Sequence, residues 1–550
     1  MLEHQNNKPV SHAREVVLGM VFALFLLGVL FEQSRSLFTA PMPDGGRWYG
    51  DETWLMREFQ TQMTEGILRN PDAPQSSISH NNGILLNSLW TNAALYGGAE
   101  ILWFPTYAPV TIGRRVTWLV SLALLVYLFW MLRKWGLPAW VAISACLLFA
   151  TSRAFFFGSH SARYDLWVAF GALFSLDFLL HIFRALQDKK PLGKTEKILL
   201  AAFPALCLAW NIHLVRIEFL PYAVLIAAIA RTNYRAALTL LAANAVVLFL
   251  LFVPSLILIT PWSLFHYGSS KSMFGETLGN NPLSRLFSFS IVWQTFRERL
   301  AGLQTEAPFA LDVSGFCVAG AIVLFLGGWW RNSKMVAAWS LILFLAASFI
   351  SWAVTLRYVA YYGVQILPVI IATSAILGYQ VYRTIERSAL RWAIASAYVC
   401  IIFITSYRSF EDAAMARERG KLITNSIQNA SLEAVQLIGQ KNACASTVLA
   451  GLPSQNYLLP VHGLRTINDL YREYPDRILT FPEFLKIEHV NYILDAPRAA
   501  VFRELAGNQP VDSLLVRAPK FYGPFDDAGF DYFNDTPLRE DTLALYAIPQ

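Results

Sequence analysis

The chain has 550 residues, of which 55% are hydrophobic and only 15% are charged. Soluble globular proteins carry about 25% charged residues, so this composition excludes a chain that is water-soluble throughout. The net charge of +6 is small for this length, and the basic residues lie between apolar segments. That placement is typical of membrane orientation signals and not of a nucleic-acid-binding surface.

Apolar segments long enough to cross a bilayer recur along residues 1–407. A spanning helix needs roughly 20 mostly apolar residues, and the sequence predicts about eleven of them. The predicted spans are 16–31, 116–132, 137–157, 166–183, 198–214, 219–230, 236–259, 309–329, 336–354, 359–381 and 392–407. The fifth and sixth are short, so we expect them to be broken or tilted. The segment 84–104 is also apolar but contains several polar residues, which favours a helix lying in the membrane interface.

The short loops on one predicted side of the membrane are all basic. Because Lys and Arg mark the cytoplasmic side, this pattern places the N-terminus in the cytoplasm. The basic residues of these loops are Arg133, Lys134, Arg184, Lys189, Lys190, Lys194, Lys197, Arg231, Arg235, Arg331, Lys334, Arg383, Arg387 and Arg391. We therefore expect a multi-pass membrane protein, with a bacterial inner membrane as its predicted location.

The chain becomes more polar after the last predicted span. Residues 408–550 contain a helical pattern in "KLITNSIQNASLEAVQLIG" and short strand-like segments in "STVLAG", "VNYILDA" and "TLALYAI". This predicts an α/β domain of ordinary size on the outer, periplasmic side of the membrane. The predicted domains are thus a transmembrane domain at 1–407, with long outer loops at 32–115 and 261–308, and a soluble domain at 408–550.

Charged and aromatic polar residues gather at the predicted outer ends of the spans. Charges at membrane depth are costly, by about 2.5–3.5 kcal/mol each on insertion scales, and they usually face a polar cavity or a partner. The four groups are Asp51 and Glu52; His160, Arg163 and Asp165; His213, Arg216 and Glu218; and Arg357, Tyr358, Tyr361 and Tyr362. Each group alone also fits a structural ion pair, a helix cap, a snorkelling arginine or a loop histidine. Three short outer loops each contain an arginine, and this joint pattern favours a shared site.

The residue types in these groups suit chemistry on a phosphorylated lipid. Arginine binds phosphate bidentately and stays charged. A carboxylate can accept the proton of an incoming hydroxyl, while arginines stabilise the negative charge on a departing phosphate. Neighbouring residues point in different directions, so Asp51 and Glu52 are expected to have different roles. No cofactor is implied; a divalent metal is left open, although the sequence contains no compact ligand set for one.

Three stretches of the sequence resemble one enzyme family. "YGDETW" is similar to the Asp-Glu motif of the GT-C superfamily of integral-membrane glycosyltransferases, of the protein O-mannosyltransferase and lipid A aminoarabinose transferase type. "SHSARYDLWVAFGALFSL" resembles that family's second outer loop, and "LRYVAYYGVQILPVIIATSAIL" resembles its late "RY…LP" helix. The layout of spans followed by a polar domain resembles the family over nearly the whole chain.

The resemblance implies a glycosyltransferase with a GT-C-like fold. It implies a polyprenyl-phosphate sugar donor, an acceptor hydroxyl on a lipid, glycan or protein, and inversion at the sugar. The implied catalytic residues are Asp51 as general base, Glu52 and Asp165. The resemblance implies Arg357 as a donor phosphate-binding residue, and the residue types of the outer groups add Arg216, Arg163 and Tyr358 to that set. Further candidate site residues are His160, His213, Glu218 and Lys271. The family often has a Lys-Gly pair before its sixth span, where this chain reads "HLVRIEFLP", so Arg216 is the expected substitute.

Other functions remain open from the sequence. A transporter or flippase of lipid-linked glycans would use intramembrane charges, but the charges here lie at one face and no inverted repeat is visible. An oligosaccharyltransferase or polysaccharide ligase would have a related layout, but the tail lacks a tryptophan-rich acceptor motif. A non-catalytic scaffold on the same fold is the fourth reading.

Overall fold

The computed structural model describes residues 9–37, 109–161, 163–258, 289–326, 333–355 and 362–438, and four strands between 447 and 547. Several predicted features lie outside the described residues. They are Asp51, Glu52, Lys271, Arg357 and Tyr358, the interfacial segment 84–104, most of the outer loop 32–115 and most of the outer loop 261–308.

The described residues form thirteen helices. They are α1 Pro9–Ser36, α2 Pro109–Lys134, α3 Ala139–Ala150, α4 Arg153–Ser159, α5 Asp165–Gln187, α6 Lys194–Trp210, α7 Ile212–Thr232, α8 Tyr234–Leu258, α9 Phe289–Glu306, α10 Pro308–Leu326, α11 Ser333–Thr355, α12 Gly363–Thr384 and α13 Ser388–Ile438. The strands are β1 Thr447–Ala450, β2 Val490–Asp495, β3 Asp512–Ala518 and β4 Arg539–Ala547.

Six of the described helices are long and apolar enough to cross a membrane, within α1, α2, α5, α7, α12 and α13. The number rises to eight if α3 with α4, and α9 with α10, each form one bent span. α1 exposes Leu24, Leu27 and Phe31, each more than 60% accessible. Such a stripe fits contact with lipid, since soluble monomers rarely expose large apolar patches. The chain is a multi-pass membrane protein, and the predicted total of about eleven spans stays a prediction.

Two of the predicted spans contain breaks. The predicted span 137–157 is two helices, α3 and α4, that meet at an angle of 71°. Ser152 causes the new start, because its hydroxyl accepts a hydrogen bond from the amide of Phe155 as an N-cap. The predicted span 198–214 ends early, at Trp210, where Asn211 adopts an extended conformation and its side chain caps α7.

Contacts between helices define two ends of the bundle. At the end that we call upper, Gln33 of α1 donates to the carbonyl of Ala150 at 2.8 Å, and α5, α7 and α12 begin. At the lower end, Asp177 of α5 accepts from Lys134 at 2.7 Å and from the indole of Trp135 at 2.9 Å. The described basic residues of the predicted cytoplasmic loops, such as Lys134 and Arg184, lie at this lower end.

The C-terminal strands form one four-stranded sheet in the order β1-β2-β4-β3. β1 and β2 are parallel, and β4 is antiparallel to both of its neighbours. β1 and β2 lie within two of the predicted strand segments, and β4 overlaps the third but begins three residues earlier, at Arg539. β3 was not predicted. The helix α13 continues through the predicted domain boundary at 407/408 to Ile438, so the last span and the predicted tail helix are one element.

Candidate functional site

The first part of the candidate site is a buried carboxylate at the upper end of α5. Asp165 is the first residue of this helix, and both of its oxygens are hydrogen-bonded. Arg163 Nε donates to Oδ2 at 2.9 Å, and Gln365 Nε2, from α12, donates to Oδ1 at 2.7 Å. The side chains of Arg163 and Asp165 are each 1% exposed. Two segments some 200 residues apart in sequence are therefore joined through one carboxylate.

The second part of the site lies beside this pair, at the start of α7. The hydroxyl of Tyr164 lies 3.1 Å from His213 Nε2, and the rings of His213 and Tyr362 are 5.2 Å apart. Arg216 is buried one turn further along α7, near the hydroxyls of Tyr164 and Tyr362. The backbone carbonyl of Arg216 accepts a hydrogen bond from Ser351, which connects α11 to the same cluster.

We call this set the upper cluster: Arg163, Tyr164, Asp165, His213, Arg216, Tyr362 and Gln365. The cluster combines two guanidinium groups, one carboxylate and two phenol groups in a mostly buried environment. α5, α7 and α12 all begin here, and helix N-termini carry partial positive charge. The arrangement can therefore hold an anion, because arginines and helix N-termini both favour negative charge.

A close contact between α5 and the break between α6 and α7 fixes the position of His213 along the length of the bundle. A Cβ atom added at Gly171 would lie 2.5 Å from the indole nitrogen of Trp210. That indole stacks on Trp167 with ring centroids 4.0 Å apart, and it donates to the Trp167 carbonyl at 2.8 Å. Glycine at 171 lets the end of α6 approach α5, so that α7 starts beside Tyr164.

The described contacts of His160 are with residues outside the upper cluster. Its ring nitrogens lie 2.7 Å from the carbonyl oxygen of Phe156 and 2.8 Å from that of Gln33. The ring also stacks on Phe156 at 4.1 Å. Desolvation by burial lowers the pKa of His160 to about 4, so the ring is neutral at physiological pH. Through these contacts His160 connects α4 to the end of α1, and we call this connection the His160 tether.

Glu218 also has no part in the contacts described above for the upper cluster. It is near the thiol of Cys207 on α6. Its side chain is 2% exposed, and its two oxygens form no hydrogen bond within the described part of the chain. A structural ion pair between Arg216 and Glu218, which the sequence left open as an alternative, is not supported by a hydrogen bond to either Glu218 oxygen within the described residues.

The structure brings together four of the predicted site residues: Arg163, Asp165, His213 and Arg216. Two cluster members, Tyr164 and Gln365, were not singled out from the sequence, and Tyr362 was named in one of the four groups without a role of its own. Gln365 could have been recognised from the sequence, because it is the only amide side chain near the start of a mostly apolar span. Within the described residues, no group of three or more His, Cys, Asp or Glu side chains could hold a metal ion.

Comparisons with known proteins add a structural likeness. No protein-family model matches the chain, and no curated protein matches it. Among solved structures, the chain is similar to ArnT from Cupriavidus metallidurans bound to undecaprenyl phosphate, at 14% sequence identity and a TM-score of 0.41. The alignment covers 94% of this chain and 85% of that one. A likeness at this score does not indicate a function for this chain.

Proposed function

We propose that this protein is a glycosyltransferase that moves a sugar from a polyprenyl-phosphate donor to an acceptor hydroxyl at the upper, non-cytoplasmic face of the membrane. The observation that supports this most is the convergence of Arg163, Asp165, His213 and Arg216 in one buried cluster. Charged groups at membrane depth usually serve a polar cavity, an ion or a substrate.

In this proposal, Arg216 binds the donor phosphate and the phenols of Tyr164 and Tyr362 support it. Arg216 is buried beside both phenol groups, so its guanidinium is weakly screened by water. The pair of Arg163 and Asp165 acts differently, because Arg163 is held by the carboxylate at 2.9 Å. Asp165 thus positions Arg163, whose remaining N–H groups contribute positive potential to the cluster.

The proposed reaction is a direct displacement at the anomeric carbon of the sugar. The acceptor oxygen forms a bond to that carbon while the bond between the carbon and the phosphate oxygen breaks. The acceptor proton passes to a carboxylate, for which Asp51 is our candidate with Glu52 orienting the acceptor. The polyprenyl phosphate leaves with an additional negative charge, which the arginines stabilise. Attack from the opposite side of the leaving group inverts the anomeric configuration.

The proposal is tested with the full chain in proteoliposomes. The substrates are polyprenyl-phosphate hexoses and pentoses labelled in the sugar, supplied with a lipid and glycan extract as acceptor. We expect wild-type protein to release polyprenyl phosphate and to label the extract. Arg216→Gln should lower this rate by about a hundredfold, which corresponds to the loss of one charge-assisted contact in the transition state.

Arg184→Gln is the matched control, since it removes an arginine from the lower end of α5, where Arg184 stacks over Trp135 at 4.1 Å. It should leave the transfer rate unchanged. Movement of intact donor across the bilayer without loss of its sugar would contradict the proposal and favour a flippase. Equal rates for wild type and Arg216→Gln would also contradict it.

A further inference from the structure

An apolar cavity lies between α3, α10, α12 and α13, and we call it the lateral cavity. Its volume is about 120 Å³, and most of its wall is aliphatic or aromatic. Ile394 of α13 lines it and is 40% exposed, so the cavity opens toward the bilayer. A concave apolar space of this size is a typical ligand site, and at membrane depth it suits a lipid chain. The lining residues used below are Leu148, Ser314, Cys317, Ser374, Tyr382 and Ile394.

Two serine hydroxyls in the wall of the lateral cavity have no hydrogen-bond partner within the described part of the chain. They belong to Ser314 of α10 and Ser374 of α12, which are 4% and 2% exposed. A serine within a helix can donate to a carbonyl of the preceding turn, as Ser144 of α3 does to Val141 at 2.9 Å. A buried hydroxyl without a partner is costly, so Ser314 and Ser374 point to a ligand that accepts hydrogen bonds.

The packing of α10 on α12 places these two hydroxyls at the same depth in the membrane. A Cβ atom added at Gly378 of α12 would lie 2.5 Å from the thiol of Cys317 on α10. Three residues further along both helices, a Cβ atom added at Gly320 would lie 3.4 Å from Val381. The two helices therefore run side by side in the same direction. The two serines lie three and four residues before the first of these contacts, so the ligand needs its acceptors at a single depth.

An exposed arginine lies above the two serines. A polar pocket of about 150 Å³ continues the lateral cavity upward, since Leu148 lines both, and Arg408 lies at its wall. The guanidinium of Arg408 is 5.1 Å from the centre of the Phe309 ring and donates no hydrogen bond within the described residues. Ser314 follows Phe309 by five residues, which is about 7.5 Å lower along α10. Arg408 therefore presents donors and a positive charge at headgroup level, where arginine binds phosphate.

The two carboxylates that line the polar pocket are engaged with other groups. Asp412 accepts two hydrogen bonds from Arg153, of 3.0 and 3.2 Å. Glu306 is fully buried, and its Oε2 lies against Gly363 at the start of α12, where an added Cβ atom would overlap it. The pocket therefore favours a negatively charged headgroup at Arg408 and has no carboxylate available for an ammonium group.

We propose that the lateral cavity binds one anionic phospholipid of the upper leaflet, which has two ester-linked acyl chains and a single negative charge. Its phosphodiester binds Arg408, its ester carbonyl groups accept from Ser314 and Ser374, and one acyl chain descends along α12 to Tyr382. The distance from Ser374 to Tyr382 is about 12 Å along the helix, and the phosphate lies about 7.5 Å above the serines. The whole length of about 20 Å matches half of a bilayer that is about 40–45 Å thick with its headgroups.

Two features of this ligand separate it from other membrane lipids. A polyprenyl phosphate is anionic but has no carbonyl group to accept from the serines. A zwitterionic phospholipid has the carbonyl groups, but its ammonium finds no available carboxylate in the polar pocket. The inference goes beyond the proposed glycosyl transfer and does not rest on it. Because the contact between Glu306 and Gly363 brings the polar pocket close to the upper cluster, the experiment compares all three kinds of lipid.

Lipid retention by the purified full chain, measured by native mass spectrometry and by titration, tests the proposal. The probes are dioleoylphosphatidylglycerol, dioleoylphosphatidylethanolamine and undecaprenyl phosphate. We expect wild type to retain one phosphatidylglycerol through delipidation and to bind the other two lipids about tenfold more weakly. Arg408→Gln should weaken phosphatidylglycerol binding by about tenfold. The double variant Ser314→Ala/Ser374→Ala, which retains every charge, should weaken it severalfold.

The thiol of Cys317 reports whether the lipid occupies the lateral cavity, because it lies in the cavity wall. Phosphatidylglycerol should slow the alkylation of Cys317 by N-ethylmaleimide severalfold in the wild-type protein. Cys400 is the matched control within the same molecule, since it is an exposed thiol of α13 and does not line the cavity. Its alkylation rate should stay the same. Mass spectrometry of the labelled peptides measures both rates.

Arg231→Gln is the control for the loss of an arginine, because Arg231 lies in the last turn of α7 and does not line the cavity. It should retain phosphatidylglycerol as wild type does, and an equal loss there would overturn the inference. So would unchanged phosphatidylglycerol binding in Arg408→Gln or in the double serine variant. Equal binding of undecaprenyl phosphate or phosphatidylethanolamine by wild type, or equal slowing at Cys317 and Cys400, would overturn it as well. None of these readouts uses sugar transfer, so each proposal can fail without the other.

Discussion

At the scale of single residues, the site depends on buried charges that compensate each other. Asp165 accepts hydrogen bonds from Arg163 and Gln365, and the sequence had left the first of these pairs open as a structural ion pair, because the two residues are close in the chain. Gln365 could not be predicted as a partner, because nothing local in the sequence specifies which distant helix packs on α5. A single sequence therefore leaves the pairs between distant helices undetermined.

Asp165→Ala should lower the free energy of unfolding by about 3–5 kcal/mol, since it leaves the guanidinium of Arg163 buried without its carboxylate. The double variant Arg163→Met/Asp165→Leu should recover most of that loss, because a buried ion pair can be replaced by apolar groups of similar volume. Chemical denaturation of the purified protein measures both. Sugar transfer should stay absent in the double variant, and full transfer there would show that the pair is structural only.

The tether at His160 predicts a dependence of stability on pH. The folded-state pKa is about 4 and the unfolded value is about 6.5, so below pH 6.5 the unfolded chain binds a proton that the folded chain does not. Stability should therefore fall as the pH is lowered, by about 2 kcal/mol between pH 7 and pH 5 from this group. Thermal unfolding of wild type and His160→Gln at both pH values measures it. A parallel loss in the two proteins would contradict this assignment.

At the scale of elements, the apolar pattern located most of the described helices and missed where they break. The hydropathy pattern reports which segments are mostly apolar, and residues 137–157 form one such segment, so the cap at Ser152 was hidden within it. The strand β3 was missed because the apolar stretch within "DSLLVRA" is only "LLV", with polar residues on both sides of it. The break at Asn211 matters for function because it sets where α7 begins, beside Tyr164.

Gly171→Val should destabilise the bundle by about 2 kcal/mol through overpacking against Trp210. It should also separate His213 from Tyr164, because α7 follows directly from Trp210. Gly315→Ala on α10 is the matched control, since an added Cβ there meets nothing within 4 Å. That change should be neutral or stabilising by up to about 1 kcal/mol. Thermal unfolding of both variants in detergent provides the comparison, and equal losses would contradict the packing argument.

At the scale of the whole molecule, the arrangement places buried catalytic candidates at one end and basic residues at the other. The predicted orientation follows from this asymmetry, since Lys and Arg mark the cytoplasmic side. The sequence predicted that the two ends would differ in charge, because each basic loop can be recognised from its own short stretch of residues. It could not predict which upper-end residues meet, because that depends on the packing of α5, α7, α11 and α12.

The orientation is tested with single cysteines in a variant that lacks the natural ones. Arg35→Cys lies at the upper end of α1, and Lys190→Cys lies in the exposed loop after α5 at the lower end. A membrane-impermeant maleimide added to the non-cytoplasmic side should label the first and spare the second. The reverse pattern would place the upper cluster in the cytoplasm and would contradict a reaction at the outer face.

The central claim is that the upper cluster holds the phosphate of a lipid-linked sugar, and a structure determined by cryo-electron microscopy in nanodiscs with a polyprenyl-phosphate sugar tests it most directly. We expect the phosphate within hydrogen-bonding distance of the Arg216 guanidinium, with the lipid chain leaving toward the bilayer. A phosphate bound away from Arg163 and Arg216, for example at Arg408, would contradict the account.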